Sequence, residues 1–125
     1  MWTYEQATGR LLHAGALVAI GYAGRGAGVD NAADERVVDV GPLPCGLYTI
    51  GAPVDGTHLG EGAMPLTPDP DTEMFGRGDF WMHQDNVAHN ETGSEGCIVQ
   101  ALATLVAVAA AVATGDDRLE VVSGL

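Results

Sequence analysis

The sequence predicts a single mainly β domain, a β-rich α+β fold in which an antiparallel sandwich or barrel carries one packed helix. The chain has 125 residues, a length that fits one domain spanning residues 1–125. It contains 18 glycines, which favours a fold with many turns over a helical bundle. Short β-type runs follow one another between turns, without the βαβ alternation that is typical of a parallel sheet.

The N-terminal region predicts a meander of short strands. Three β-type runs are separated by turns at Ala7–Gly9 and Ala14–Gly15, and they span Trp2–Glu5, Arg10–His13 and Ala16–Tyr22. Residues 24–34 form a glycine-rich loop. Because no lysine follows its glycines and no helical pattern begins there, this loop does not have the character of a phosphate-binding loop.

The rest of the chain predicts further strands and the one helix. A rigid turn at Gly41–Gly46 precedes β-type runs at Leu47–Gly51, Ala63–Thr67, Asp79–His83 and Arg118–Ser123. A helix is expected from about Gln100 to Thr114, ended by Gly115. Its sequence is apolar nearly all round, which is typical of a helix that is buried or lies in an interface.

The charge of the chain excludes some classes of partner. The formal net charge is −12, and all five cationic side chains are arginines. Such a surface repels phosphate backbones and anionic lipids, so we expect neither nucleic-acid binding nor membrane insertion. The apolar run at Ala101–Ala113 is well short of the roughly 20 residues that span a bilayer. No signal-peptide pattern is seen, because glycines interrupt the apolar run at Leu11–Ala23.

Cys97 and His83 are the candidate catalytic pair. A thiol is a good nucleophile only as the thiolate, and an imidazole within hydrogen-bond reach can accept its proton at neutral pH. His83 ends a predicted strand, and the connection that follows is long enough to fold back and bring Cys97 beside it. Cys97 also precedes the predicted helix, whose positive end would favour the thiolate modestly. The alternative is that Cys97 is a buried small apolar residue and His83 a structural histidine.

The neighbours of the pair suggest supporting roles. On a strand, Trp81 and His83 share one face, while Phe80 and Met82 share the other and are expected in the core. Gly96 removes a side chain beside the thiol, so that a substrate carbonyl can approach the main-chain N–H groups of Gly96 and Cys97, a candidate oxyanion hole.

Polar residues on both sides of the loop complete the candidate site. Asp85 lies two residues after His83 and could orient the imidazole, although such a residue more often caps a loop. Ser94 and Glu95 could contact the substrate or fix the loop. His83, Asp85 and His89 are the one cluster with metal-ligand character, and neither a metal nor another cofactor is expected. Cys45 is expected to be inert.

The sequence around Cys97 resembles that of a known enzyme family. His83 followed by Ser94-Glu95-Gly96-Cys97-Ile98 is similar to the L,D-transpeptidase signature, a His followed by Ser/Thr-x-Gly-Cys. The wider chain resembles the L,D-transpeptidase-like toxin domain that type VI secretion delivers. The matching segments are Trp2–Tyr4, Gly41–Gly51, Leu66–Pro68, Glu73–Arg77, His83–Cys97 and Leu119–Val122.

The resemblance implies a thiol acyl-transfer enzyme that acts on the tetrapeptide stems of peptidoglycan. Cys97 would attack the carbonyl beside the terminal D-alanine, and His83 would accept the thiol proton and return it to the leaving amine. Water would complete a carboxypeptidase reaction, and an amine would complete transpeptidation or D-amino-acid exchange; the sequence does not choose between them. The protein would reach the periplasm or cell wall through a secretion system or phage, with a secretion apparatus or an immunity protein as possible partners.

The sequence departs from the family pattern at positions that bind substrate. Glu95 stands where a second histidine is common, and Val99 stands where an arginine is common. Glu95 could instead face a substrate ammonium. Arg77 could meet a substrate carboxylate, and Trp81 could form a wall of the cleft.

Three other interpretations remain open. A sortase-like transpeptidase also has its His before its Cys and an Arg after it, here Arg118, but the sequence around Cys97 lacks the usual sortase motif. A papain-like peptidase normally has its Cys before its His, the reverse of this chain. The third is a catalytically inactive cell-wall-binding or phage structural domain with the same fold.

Overall fold

The computed structural model describes residues 1–85 and 96–125. Within these residues the chain forms nine strands, one α-helix and two short 3-10 turns at Gly26–Gly28 and Ala32–Asp34. The elements are β1 (Trp2–Glu5), β2 (Arg10–His13), β3 (Ala16–Ile20), β4 (Tyr22–Ala23), β5 (Gly46–Ile50), β6 (Met64–Pro68), β7 (Phe80–His83), β8 (Ile98–Val99), α1 (Leu102–Ala113) and β9 (Arg118–Val122).

The strands form one sheet that nearly closes into a barrel. Their order across the sheet is β3-β2-β1-β9-β5-β6-β7-β8-β4. The two strands at the ends of this order, β3 and β4, are consecutive in the chain. The predicted β-rich fold with one packed helix is confirmed. The sheet is mixed rather than wholly antiparallel, because β1 pairs with β9 and β7 pairs with β8 in parallel.

The run predicted as one strand at Ala16–Tyr22 is two strands that meet at Gly21. The main-chain N–H of Gly21 donates a hydrogen bond to the carbonyl of Gly9 at 2.8 Å. Beyond Gly21 the chain leaves its pairing with β2, and Tyr22 pairs with Val99 in β8. The chain thus crosses from one end of the sheet to the other at this residue.

The interior of the barrel is filled by alternate residues of the strands and by one side of the helix. Aromatic and aliphatic side chains predominate in it, each stabilising the fold by about 1.5–3 kcal/mol when fully buried. The largest fully buried apolar residues are Tyr4, Leu11, Leu43, Tyr48, Ile50, Met64, Met82, Ile98, Leu105, Val108 and Leu119.

The helix packs on the sheet by one side only. Leu105 and Val108 lie in the core, whereas Val106 is 61% exposed. An all-apolar helix is therefore not buried all round, and its outer side is a surface of alanine and valine. In the described part of the chain, no helix has the length and apolar character needed to cross a membrane.

Replacing Gly21 by alanine is expected to lower the free energy of unfolding by at least about 2 kcal/mol, because overpacking at a rigid site is costly. A Cβ at Gly21 would lie 1.9 Å from the carbonyl oxygen of Val99, a main-chain atom that cannot move aside cheaply. Urea unfolding measures the effect. Gly78→Ala is the matched control, since a Cβ there meets no described atom within 4 Å. Equal losses in the two variants would contradict this account of the closure.

Candidate active site

The parallel pairing of β7 with β8 brings His83 and Cys97 to neighbouring positions. His83 is the last residue of β7 and pairs with Val99, and Met82 pairs with Ile98. Cys97 immediately precedes β8, and its Sγ accepts a hydrogen bond from the main-chain N–H of Trp81 at 3.3 Å. A separation of one strand sideways and two residues along corresponds to about 8 Å between Cα atoms. Strand alternation places both side chains on one side of the pair.

A main-chain carbonyl fixes the tautomer of the His83 imidazole. Its Nδ1 lies 2.6 Å from the carbonyl oxygen of Gln84. Because a carbonyl can only accept a hydrogen bond, Nδ1 carries the hydrogen and Nε2 of the neutral ring presents a lone pair. Sequence reasoning missed this partner, since a main-chain atom leaves no signal in residue types.

Burial lowers the pKa of His83 from its ordinary value of 6.5, and it is the largest influence. The side chain is 3% exposed, in contrast to the open position that strand alternation predicts. The hydrogen bond to Gln84 and the charge of Asp85 oppose the effect of burial, and His58 adds to it. A lowered pKa keeps the ring neutral at pH 7, which is the state that accepts a proton.

The carboxylate of Asp85 has a hydrogen-bond partner in β4. Its Oδ1 accepts a hydrogen bond from the hydroxyl of Tyr22 at 2.5 Å, while Gln84 provides the oxygen that orients His83. The influence of Asp85 on His83 is exerted through its charge. Tyr22 was not predicted as a site residue, because it comes from β4, more than sixty positions earlier in the sequence.

Gly96 is a glycine because protein atoms fill the space beside it. Its φ is +126°, and a Cβ would lie 2.5 Å from Nη2 of Arg77 and 2.7 Å from Cε1 of Phe80. Its carbonyl accepts a hydrogen bond from the N–H of Leu43 at 2.9 Å. The expectation that the missing side chain leaves room for a substrate is wrong on this side of Gly96. The oxyanion hole at the N–H groups of Gly96 and Cys97 stays a prediction.

Arg77 anchors the turn that holds Gly96. Its guanidinium is 9% exposed and donates to the carbonyls of Glu35 at 2.6 Å, Pro42 at 2.8 Å and Gly41 at 2.9 Å. Its face lies over the ring of Phe80, 5.0 Å from the centroid. These contacts favour a structural role, and the predicted contact with a substrate carboxylate stays a prediction.

The positive charge of Arg77 also reaches Cys97. Burial lowers the pKa of Arg77, and nearby acidic groups oppose this effect, with Asp39 first, then Tyr48, Cys97 and Glu35. A cation beside a thiol favours the thiolate over the neutral form. Arg77 and Cys97 therefore interact electrostatically, and Arg77 also holds the residue before Cys97 in place.

The helix does not supply the positive charge that the sequence predicts at Cys97. α1 begins at Leu102, and β8 lies between it and Cys97. Because the effect of a helix terminus fades within a turn, this expectation is wrong.

The half-buried Trp81 side chain donates a hydrogen bond from its indole nitrogen to the carboxylate of Asp79 at 3.2 Å. The predicted role of Trp81 as a cleft wall stays a prediction.

Cys45 lies in a polar cluster that keeps its thiol protonated. Its Sγ donates to Oε1 of Gln6 at 3.3 Å, and its main-chain N–H donates to Glu35. Burial, and then the charge of Glu35, raise the pKa of Cys45 to about 11. Cys45 and Cys97 form no disulfide within the described structure.

Ser94, Glu95 and His89 lie outside the described residues. The roles predicted for Ser94 and Glu95, contact with the substrate or fixing of the loop, therefore stay predictions. Among residues 1–85 and 96–125, no group of three or more His, Cys, Asp or Glu side chains is arranged to hold a metal ion.

A sequence model of the Tlde1 domain matches residues 18–122. The chain belongs to the Tlde1 domain family. This family comprises type VI secretion effectors of the L,D-transpeptidase kind. The match runs from β3 to the end of β9, so the Tlde1 domain includes both His83 and Cys97. Comparisons with curated proteins and with solved structures found no match.

In this Tlde1 domain, Arg77→Met is expected to lower the free energy of unfolding by about 3 kcal/mol or more. The change leaves the buried carbonyls of Gly41 and Pro42 and the partly buried carbonyl of Glu35 without a charged donor. Urea unfolding measures it. Arg36→Met is the matched control, because Arg36 is exposed and its described contact is a cation–π pair with Phe75, worth less than about 1 kcal/mol. Comparable losses of unfolding free energy in the two variants would refute the anchoring role of Arg77.

Iodoacetamide at pH 7 is expected to label Cys97 well before Cys45. A pKa of about 11 leaves roughly one Cys45 thiol in ten thousand ionised at this pH. Peptide mass spectrometry after timed quenching gives the two rates. His83→Ala should slow the labelling of Cys97 and leave the rate at Cys45 unchanged. Faster labelling of Cys45, or an indifferent His83 variant, would show that the pair is misassigned.

Proposed function

We propose that this Tlde1 domain is a cysteine acyl-transfer enzyme that cuts peptidoglycan tetrapeptide stems through a thioester on Cys97. The observation that carries the proposal is the β7–β8 register. In this register the sulfur of Cys97 accepts a hydrogen bond from the N–H of Trp81, and His83 lies two residues further along the same strand as Trp81. Family membership supplies the class of target, since these effectors are of the L,D-transpeptidase kind.

In the first half of the reaction, the sulfur of Cys97 attacks the carbonyl that joins the third and fourth residues of the stem. Nε2 of His83 takes the thiol proton as the S–C bond forms. The tetrahedral intermediate then collapses and the C–N bond breaks. His83 donates its proton to the departing amine, so that D-alanine leaves and the tripeptide remains as a thioester.

In the second half, a water or an amine attacks the thioester carbonyl. His83 accepts a proton from this nucleophile and returns it to the sulfur as the S–C bond breaks. Water yields the trimmed tripeptide stem, which is the carboxypeptidase outcome. An amine of a second stem or of a free D-amino acid yields a new amide bond, which is the transpeptidase or exchange outcome.

Several contacts suit the charges that develop during these steps. The N–H of Trp81 donates to the sulfur, and hydrogen bonds to a charged form favour that form. The N–H groups of Gly96 and Cys97 are proposed to bind the oxyanion. Ser94 and Glu95 are proposed to contact the stem peptide, and Asp85 to tune His83 by its charge.

The effector family also indicates where the reaction takes place. A type VI effector is delivered by a secretion apparatus to a target cell, and its substrate here is peptidoglycan. We therefore propose that this Tlde1 domain acts in the periplasm of the recipient and that the producing cell protects itself with an immunity protein.

Cys97→Ala is expected to abolish trimming of purified tetrapeptide muropeptides, with at least a thousand-fold loss of rate, because the thioester cannot form. His83→Gln is expected to lose roughly a hundred- to ten-thousand-fold, the usual contribution of a general base. Mass spectrometry of the digest follows the loss of one alanine. Adding a D-amino acid to the same digest reports exchange.

Cys45→Ala is the matched control and should keep wild-type activity, since Cys45 lies in a separate cluster. Undiminished trimming by the folded Cys97→Ala protein would end the proposal. An inactive wild type that pulls down with peptidoglycan would identify a binding domain instead.

A further inference from the structure

A groove of about 350 Å³ lies just beyond His83, between the ends of β7 and β8, the short strand β4 and the start of α1. Pockets of this size accommodate small metabolites. Its walls combine polar side chains with the first residues of the helix. They are Gly21, Tyr22, Gln84, Asp85, Val99, Gln100, Ala101 and Leu102.

Gln100 lines this groove, and its carboxamide is unsatisfied. Its side chain is 3% exposed, and within the described structure neither Oε1 nor Nε2 has a hydrogen-bond partner. The amide lies against the glycine wall, because a Cβ on Gly21 would come within 2.7 Å of Nε2. A buried amide without partners costs stability, and a ligand that paired with it would remove this cost.

The start of α1 supplies donors at the same place. α1 runs for 12 residues from Leu102, and the side chain of its N-cap residue, Ala101, makes no capping hydrogen bond. The first N–H groups of a helix have no partner within the helix, and its dipole favours negative charge there. Main-chain N–H groups at Leu102 and Ala103 therefore suit a carboxylate.

The opposite end of the groove suits an amine. Asp85 provides a carboxylate, which also accepts a hydrogen bond from the hydroxyl of Tyr22. Gln84, which follows His83 in the chain, lines the groove at the same end. A simple anion would face this carboxylate and a protein of net charge −12. A molecule with a carboxylate at one end and an amine at the other matches both ends.

We propose that this groove binds the α-amino acid that leaves or attacks the Cys97 thioester. Its carboxylate lies at the start of α1 beside Gln100, and its amine points to His83 and Asp85. The inference rests on the proposed function, in which His83 exchanges a proton with that amine. An amine that exchanges a proton with His83 must approach from the His83 side of the site, and the groove begins at the next residue, Gln84.

Binding is tested apart from catalysis by titrating D-alanine into the Cys97→Ala protein and following the amide NMR signals of Leu102 and Ala103. The proposal expects saturable shifts at these amides. It expects at least ten-fold weaker binding of D-lactate, which lacks the amine, and of D-alaninamide, which lacks the carboxylate. Equal binding of D-lactate would indicate an anion site and overturn the assignment, as would the absence of any shift.

Two variants move stability and binding in opposite directions. Ala101→Asp places a capping carboxylate on the first N–H groups of α1, so the melting temperature should hold or rise while affinity for D-alanine falls at least ten-fold. Gln100→Leu removes polar atoms that have no partner and should behave in the same way. Ala52→Asp, at an exposed loop position, is the matched charge control and should bind normally. Unchanged affinity in both groove variants would overturn the subsite.

The proposed function and the proposed groove can be refuted separately. A wild-type protein that trims stems but shows no shift at Leu102 and Ala103 keeps the proposed function and loses the groove. A protein that binds D-alanine at these amides but trims nothing loses the proposed function.

Discussion

The parallel pairing of β7 with β8 is the constraint on which the candidate site depends. Parallel neighbours cannot be joined by a tight turn and need a connection of about a dozen residues or more, which residues 84–97 provide. A slip of one residue would exchange the two faces of β8. Ile98 and Met82 are fully buried, and their burial fixes the register that sets Cys97 beside Trp81.

The buried guanidinium of Arg77 stabilises this register through Gly96, the residue that precedes Cys97. The guanidinium of Arg77 donates hydrogen bonds to the main-chain carbonyls of Glu35, Gly41 and Pro42. The next residue, Leu43, donates its N–H to the carbonyl of Gly96. Because φ at position 96 is +126° and atoms of Arg77 and Phe80 occupy the space of a Cβ, this position strongly favours glycine. A packing requirement thus explains a glycine that sequence reasoning assigned to substrate access.

The sequence predicted the elements whose pattern is local. The alternation in Trp2–Glu5 and Arg118–Val122 and the apolar run of α1 were placed within a residue or two, and Cys97 and His83 were singled out by their chemistry. Two strands were not predicted from the sequence, because the pattern of one is very short and that of the other merges with the preceding strand. β8 is two residues long and leads toward the helix, while β4 continues the run of β3 past Gly21. The hydrogen bond from His83 to the carbonyl of Gln84 and the unsatisfied amide of Gln100 were not predicted, because they depend on tertiary packing alone.

Burial of His83 favours a late proton transfer in the proposed reaction. Burial lowers the pKa of His83, so an imidazolium is disfavoured before substrate arrives and a preformed thiolate–imidazolium pair is disfavoured with it. The proton then transfers as the sulfur attacks, when charge develops on the carbonyl oxygen. Once charged, a ring of lowered pKa is a stronger acid than ordinary histidine. Departure of an amine is the step that most needs an acid, so the environment that weakens His83 as a base strengthens it where the C–N bond breaks.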